Sequence, residues 1–422
     1  MFAVKDYENE CIENSNVSIG WIFDCLEKNC DSFKEIKRNS KVLKLDVKNI
    51  SDGKGFASKV YKSTVHFDGD ENKVYQFVTK IPELDSILKL FENDPDKEEM
   101  SDIFSTDYIS RFHNQEWMFY IGALKEIIGL KVPSCYGGRE SIPGKMDGCL
   151  LMTWLSSNSG NIPFYESFNI YQTKSVLKEV MKLQVFSLTD GKHWRTKFTN
   201  SYTSRVLKSF VKTINMGFEL FKEYCPDEML NEIKDDYETL VSNYVDIGIY
   251  VIKGITDING KNSVLCHGDL WTNNIMFELD SEKRFTNNVE AIIDWQSIFT
   301  ASIGSDIARF IVNGCSPEVR REIEVSYFPV YFKELKKKVM DKGEVFDMTF
   351  EEFVNAYDFC MIEQALHTIM MSGLNLAQIK INNDEDRYIW EARKFSLAYK
   401  SYFALKDAFK RVRKIKPEWL NN

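Results

Sequence analysis

The segment His267-Gly268-Asp269-Leu270-Trp271-Thr272-Asn273-Asn274 fits the string HxDxxxxN, and a second carboxylate, Asp294, closes the apolar run VEAIIDW. Phosphoryl transfer needs such parts: one carboxylate to orient and deprotonate an attacking hydroxyl, then an amide oxygen and a second carboxylate to hold a magnesium ion on nucleotide phosphates. Asp269 is the candidate base, and Asn274 and Asp294 are the candidate metal ligands. His267 reads as a brace for the loop rather than a proton carrier. Asp306, at the start of SIGSDIARFIV, reads as a helix N-cap, and Trp271 and Trp295, beside the base and the ligand, read as core.

The phosphate side belongs upstream. Gly53-Lys54-Gly55-Phe56-Ala57-Ser58-Lys59-Val60 fits GxGxxSxV between two strand-like runs. Small residues there let backbone amides approach an anion, so Gly53, Gly55 and Ser58 are candidate phosphate contacts. Lys80 ends the run VYQFVTK, and Glu116 lies on the helical segment that follows, with Glu126 as a weaker rival. A strand lysine paired with a helix glutamate can be held on the α- and β-phosphates.

Elements to position these residues follow from periodicity. VLKLDVKNI, KVYKSTVHF and KVYQFVTKIP are separated by DGKG and DGDEN turn signals and predict an antiparallel meander. In DYISRFHNQEWMFYIGALKEIIGL, Phe112, Phe119, Ala123 and Ile127 recur at helical spacing. VPSCYGGRE and GCLLMTWL, around the turn IPGKMDG, predict a further strand pair. From there helical patterns dominate except between Ser263 and Trp295, where VLCHGDL, NIMFEL and VEAIIDW predict a loop and a hairpin. The basic run KRVRKIK, Lys410 to Lys416, reads as the solvated end of a last helix.

Composition narrows the class. With 54 basic and 63 acidic residues the formal charge is −9, which disfavours nucleic acid and anionic membrane surfaces as partners. The nine cysteines show no CxxC pair and fit reduced thiols in the cytoplasm. No apolar leader opens the chain, and no run of 18 apolar residues predicts a membrane span.

Together HGDLWTNNIMF, AIIDWQSIF and GSDIARF resemble the choline kinase and aminoglycoside phosphotransferase superfamily. Within it they resemble the CHK-kinase-like, or ecdysteroid-kinase-like, group abundant in insects and nematodes. The resemblance spans nearly the whole chain. It implies an α+β, bilobal protein-kinase-like fold: an antiparallel-sheet N-lobe over residues 1–154 and a mainly helical C-lobe over 155–422. It implies ATP and Mg²⁺ as cofactors, Asp269 as base, Asn274 and Asp294 as metal ligands, and Lys80 with Glu116. It places the adenine hinge in LLMTWLS, near Met152 and Trp154, where Thr153 stands in place of the acidic residue frequent in the group.

The expected activity is ATP-dependent transfer of the γ-phosphoryl group to a hydroxyl of a small molecule: a steroid, glucoside, xenobiotic or amino alcohol. The alternative is a catalytically silent kinase-like binding module, although such modules usually lose the base or a metal ligand and this chain keeps every one. A protein kinase is disfavoured by the lack of DFG and APE. A metal-dependent hydrolase is disfavoured because His66, His113, His193 and His367 are isolated.

Overall fold

The computed structural model describes residues 2–3, 10–51, 57–69, 73–85, 88, 98, 103–199, 202–254, 263–377, 379, 381 and 383–421. The chain folds as two compact units. One comprises Met1–Lys125, Val132–Asn158 and Asp294–Ser297, and the other Glu126–Lys131, Ser159–Ile293 and Ile298–Asn422. The fold class is α+β: an antiparallel sheet in the N-terminal part and a mainly helical remainder.

In the first unit, β1 (Phe2–Ala3), β2 (Val42–Asn49), β3 (Ser58–Phe67), β4 (Val74–Pro82), β5 (Cys135–Arg139) and β6 (Cys149–Thr153) form one sheet. Its order is β1-β2-β3-β4-β6-β5, antiparallel throughout. The meander and the later strand pair are therefore as the alternating patterns predict. Tyr61, Ser63, Val65 and Phe67 alternate inward along β3. Tyr61, Val65 and Phe67 share an apolar cluster with the helix Ile19–Asn29, whose Ile19, Ile22, Phe23 and Leu26 lie on one helical face. The Ser18 side chain starts that helix by accepting from the Trp21 N–H. Register places Lys80 of β4 opposite Val60 and Leu150, in mid-sheet. Gly53 and Gly55 lie outside the described residues, while Ser58 is buried at the first position of β3.

The segment predicted as helix forms Thr106–Ile121, capped by Ser105 and ended at Gly122, with a short 3₁₀ turn, Ala123–Glu126, after it. Glu116 is on that helix and Glu126 on the turn.

The second unit holds two small antiparallel sheets. β7 (Ser159–Asn161), β9 (Ile275–Leu279) and β10 (Phe285–Ile292) pair in the order β10-β9-β7, and β8 (Ser263–Cys266) pairs with β11 (Phe299–Ser302). The predicted hairpin is β9 and β10. Helices Ile170–Leu188, Ser204–Tyr224, Asp227–Ser242, Phe328–Asp341, Phe350–Ala377 and Asp384–Ile415 make up most of the rest. The last helix differs from expectation at its end. Arg411 is not solvated but pairs inward with Asp358 at 2.6 Å and Glu324 at 2.8 Å, because both carboxylates need a cation in a largely buried layer.

Helices Ser204–Tyr224 and Phe350–Ala377 touch main chain to main chain. A Cβ built on Gly217 would lie 2.7 Å from the Ile369 carbonyl oxygen, and one built on Gly373 would lie 2.6 Å from the Gly217 α-carbon. Gly217→Ala therefore forces the helices apart. The expected loss is about 1–3 kcal/mol from overpacking, opposed by at most about 1 kcal/mol of better helix propensity. A lower urea midpoint with unchanged slope is the expected reading; an unchanged midpoint would show that the crossing yields freely.

Candidate active site

In the sheet unit, β4 and the helix Thr106–Ile121 bring Lys80 and Glu116 together. Lys80 Nζ lies 2.6 Å from Glu116 Oε2 and 2.5 Å from Asp294 Oδ1. Glu116 Oε1 accepts from the Trp295 backbone N–H at 3.1 Å. The Trp295 ring stacks on Phe119, one helical turn from Glu116, with centroids 4.1 Å apart, which stabilises the contact by about 0.5–1.5 kcal/mol beyond its buried area. One glutamate thus receives the lysine on one oxygen and anchors the residue after Asp294 with the other.

Burial disfavours the Lys80 ammonium, but Asp294 and Glu116 outweigh it and hold its pKa above the ordinary lysine value. Burial raises the Glu116 carboxyl, with Lys80 opposing. Asp294 has φ +67, in the left-handed region that costs most side chains about 1–2 kcal/mol. Its carboxylate is fixed by Lys80 on one oxygen and approached on the other by Gln296 Nε2 at 3.4 Å. Also in this unit, Met152 is buried on β6 and the Lys62 ammonium sits 4.4 Å from the Trp154 ring centroid. Trp295, 1% exposed, is core, as predicted.

The helical unit holds the loop after β8. His267 Nδ1 accepts from the Asp269 N–H at 3.2 Å, so the ring proton belongs on Nε2, which donates to the Ile293 carbonyl at 2.9 Å. The expected brace role fits this geometry. Asp306 departs from its expected N-cap role. Gly304 occupies the N-cap of the helix Ser305–Gly314, and the buried Asp306 carboxylate instead accepts from the His267 N–H at 2.6 Å and the Gly268 N–H at 3.0 Å. Two orphan amides of an irregular loop, one next to a left-handed Gly268 at φ +83, outweigh a cap that glycine can fill.

Asn274 donates through Nδ2 to the Asp269 carbonyl at 2.8 Å and to Asp269 Oδ2 at 3.2 Å. That orientation leaves its Oδ1 to face a different partner. The other Asp269 oxygen is held by Arg309 Nη2 at 2.7 Å. Arg309 stands in the DIARF run yet was no site candidate, although its spacing of three from Asp306 puts both on one helix face.

Asn274 of the helical unit and Asp294 of the sheet unit each carry an oxygen donor of the kind a hard cation takes, and 30% of the Asp294 side chain is exposed.

The sheet unit thus holds a buried lysine between two carboxylates, and the helical unit holds an HxDxxxxN loop whose carboxylate is contacted at both oxygens. The chain belongs to the DUF1679 family: the family model, described as uncharacterized oxidoreductase dhs-27, matches residues 33–399. It is 27% identical over 413 residues to the Caenorhabditis elegans protein called uncharacterized oxidoreductase dhs-27, covering 94% of this chain and 48% of that one. The chain thus spans about half that relative's length. It is also 20% identical over 333 residues to the Caenorhabditis elegans uncharacterized kinase-like protein D1044.1, covering 78% and 83% of the two chains. Among solved structures it is similar to amicoumacin kinase hAmiN in complex with AMP-PNP, Ca²⁺ and Ami. The TM-score is 0.38 at 11% identity, covering 90% of this chain and 96% of that one. No described helix is long and apolar enough to cross a membrane, and all nine cysteines are free thiols.

Proposed function

We propose that this chain transfers the γ-phosphoryl group of ATP to a hydroxyl of a small molecule. The observation that carries the reading is the buried Lys80–Glu116–Asp294 cluster: a mid-strand lysine fixed between a helix carboxylate and a strand-end carboxylate. Lys80, oriented by Glu116, binds the α- and β-phosphates, and Gly53, Gly55 and Ser58 cover them. Met152 and Trp154 border the adenine. Asn274 and Asp294 hold Mg²⁺, which when bound neutralises charge on the phosphates. Asp269 orients the acceptor hydroxyl and takes its proton.

The HGDLWTNN, IDWQ and DIARF runs support placing the chain with the ecdysteroid-kinase-like group, and the kinase-like name of one relative agrees. The acceptor class, by that placement, is a steroid, glucoside, xenobiotic or amino alcohol. Free thiols suit a reducing, cytoplasmic setting. The oxidoreductase name of the other relative belongs to a protein about twice as long. Every strand ladder among the described residues is antiparallel, whereas dinucleotide-binding sheets are mostly parallel.

The test is ATP consumption with and without Mg²⁺ against pooled sterols, glycosides, amino alcohols and other alcohols, with product masses read for one added phosphoryl group. Acceptor-dependent turnover that stops on chelation is expected. Tight MgATP binding without any acceptor-dependent product would overturn the reading in favour of a silent binding module.

A further inference from the structure

Arg309 reaches Asp269 from within a closed ring of buried groups. Its Nη1 donates to Gln364 Oε1 at 3.1 Å and to His367 Nδ1 at 3.1 Å, which uses both hydrogens on that nitrogen. His367 Nε2 is 2.5 Å from Tyr244 Oη and 3.3 Å from Glu363 Oε1. The Tyr244 hydroxyl donates to Glu363 Oε1 at 3.5 Å, and Gln364 Nε2 donates to Glu363 Oε2 at 2.7 Å. Arg309, Glu363, Gln364 and His367 are all buried.

Donor directions in this ring are forced. Arginine only donates, so His367 Nδ1 must accept and the imidazole carries its single proton on Nε2. Burial pushes the Tyr244 phenol well above its ordinary pKa, so it keeps its proton and passes the ring on to Glu363. Glu363 only accepts and closes it through Gln364. A planar guanidinium fixed at Nη1 has Nη2 fixed too, and Nη2 is the nitrogen that meets Asp269 Oδ1.

We propose that Arg309 is a positioning residue for Asp269, and that the His367–Tyr244–Glu363–Gln364 ring holds its guanidinium in the orientation that aims the carboxylate. One helical turn then sets the loop twice over. Asp306 fixes the loop backbone, and Arg309, three residues on, fixes the loop carboxylate. The kinetic half of the proposal rests on the phosphotransfer reading; the ring itself does not.

The test has two readouts on the full chain. The first is the ¹⁵N spectrum of histidine-labelled protein, in which the His367 signals are assigned by their loss in His367→Gln. Wild type is expected to show one neutral tautomer, protonated at Nε2; Arg309→Met is expected to show a mixture. The second is ATP turnover over a range of MgATP concentrations up to saturation, with water or an acceptor from the screen. Arg309→Met is expected to lower kcat about 100-fold, as misplacement of about 1 Å can, with KM for ATP nearly unchanged. Arg309→Lys is expected to recover part of kcat. Arg309→Gln serves as the second neutral variant if the methionine variant does not fold, and melting curves establish folding for each.

A folded neutral variant with wild-type kcat overturns the positioning role. A His367 spectrum indifferent to Arg309 overturns the ring. A locked tautomer released by Arg309→Met, in a protein without turnover, upholds the ring and sinks the phosphotransfer reading instead.

Discussion

Asp269→Ala is expected to lower acceptor-dependent ATP turnover by about 10²-fold or more, the usual contribution of a positioned general base. Its carboxylate is held at one oxygen by Arg309 and approached at the other by the Asn274 amide. On the proposed reading its task is largely orientation, which suits phosphoryl transfer, where little covalent work falls to the protein. Asp269→Asn tests this more finely, because it keeps the shape and the contact to Arg309 while removing the charge. Steady-state rates on the acceptor found by the screen decide it: wild-type turnover in either variant would remove Asp269 from the chemistry.

Lys80→Met is expected to produce the largest change in stability. It leaves Glu116, 1% exposed, without its cation, and breaking a buried pair from one side costs about 3–5 kcal/mol. The double variant Lys80→Met/Glu116→Gln should recover much of that loss, since the cost lies in the stranded charge. The pH sign follows from the same groups. The folded-state pKa of Lys80 is raised, so its stabilisation is present throughout the range below the ordinary lysine value and is lost only as pH rises through the folded value. The deficit of the single variant is therefore large at neutral pH. It shrinks on acidification, because Glu116, already raised by burial, takes up a proton there. Urea midpoints at several pH values measure it; a single variant as stable as wild type would mean the lysine is dispensable to the unit.

Much of the fold was legible because its signals are local. Period-two alternation and turn residues marked β2, β3 and β4, and HGDLWTNN with VEAIIDW marked a loop and a hairpin. Lys80 and Glu116 were legible as a pair only because strand-then-helix order suggested it, and the structure joins them. Asp306 was misread because an acidic residue at a helix start is ordinarily a cap, whereas its real partners are amides 38 and 39 residues earlier. Arg309 offered a weak signal, its shared face with Asp306. Glu363, Gln364 and His367 offered none, since they arrive from a separate helix through a glycine crossing.

The left-handed backbone at Asp294 also limits which replacements can be interpreted there. Alanine, serine or glutamate would alter the proposed metal ligand and oppose a φ of +67 together, so a loss of activity would not distinguish a lost ligand from a displaced strand end. Asparagine tolerates that conformation best among side chains of the same shape. On the proposed reading, Asp294→Asn is accordingly the variant suited to capturing nucleotide and acceptor together in a crystal, with the backbone still in its native path.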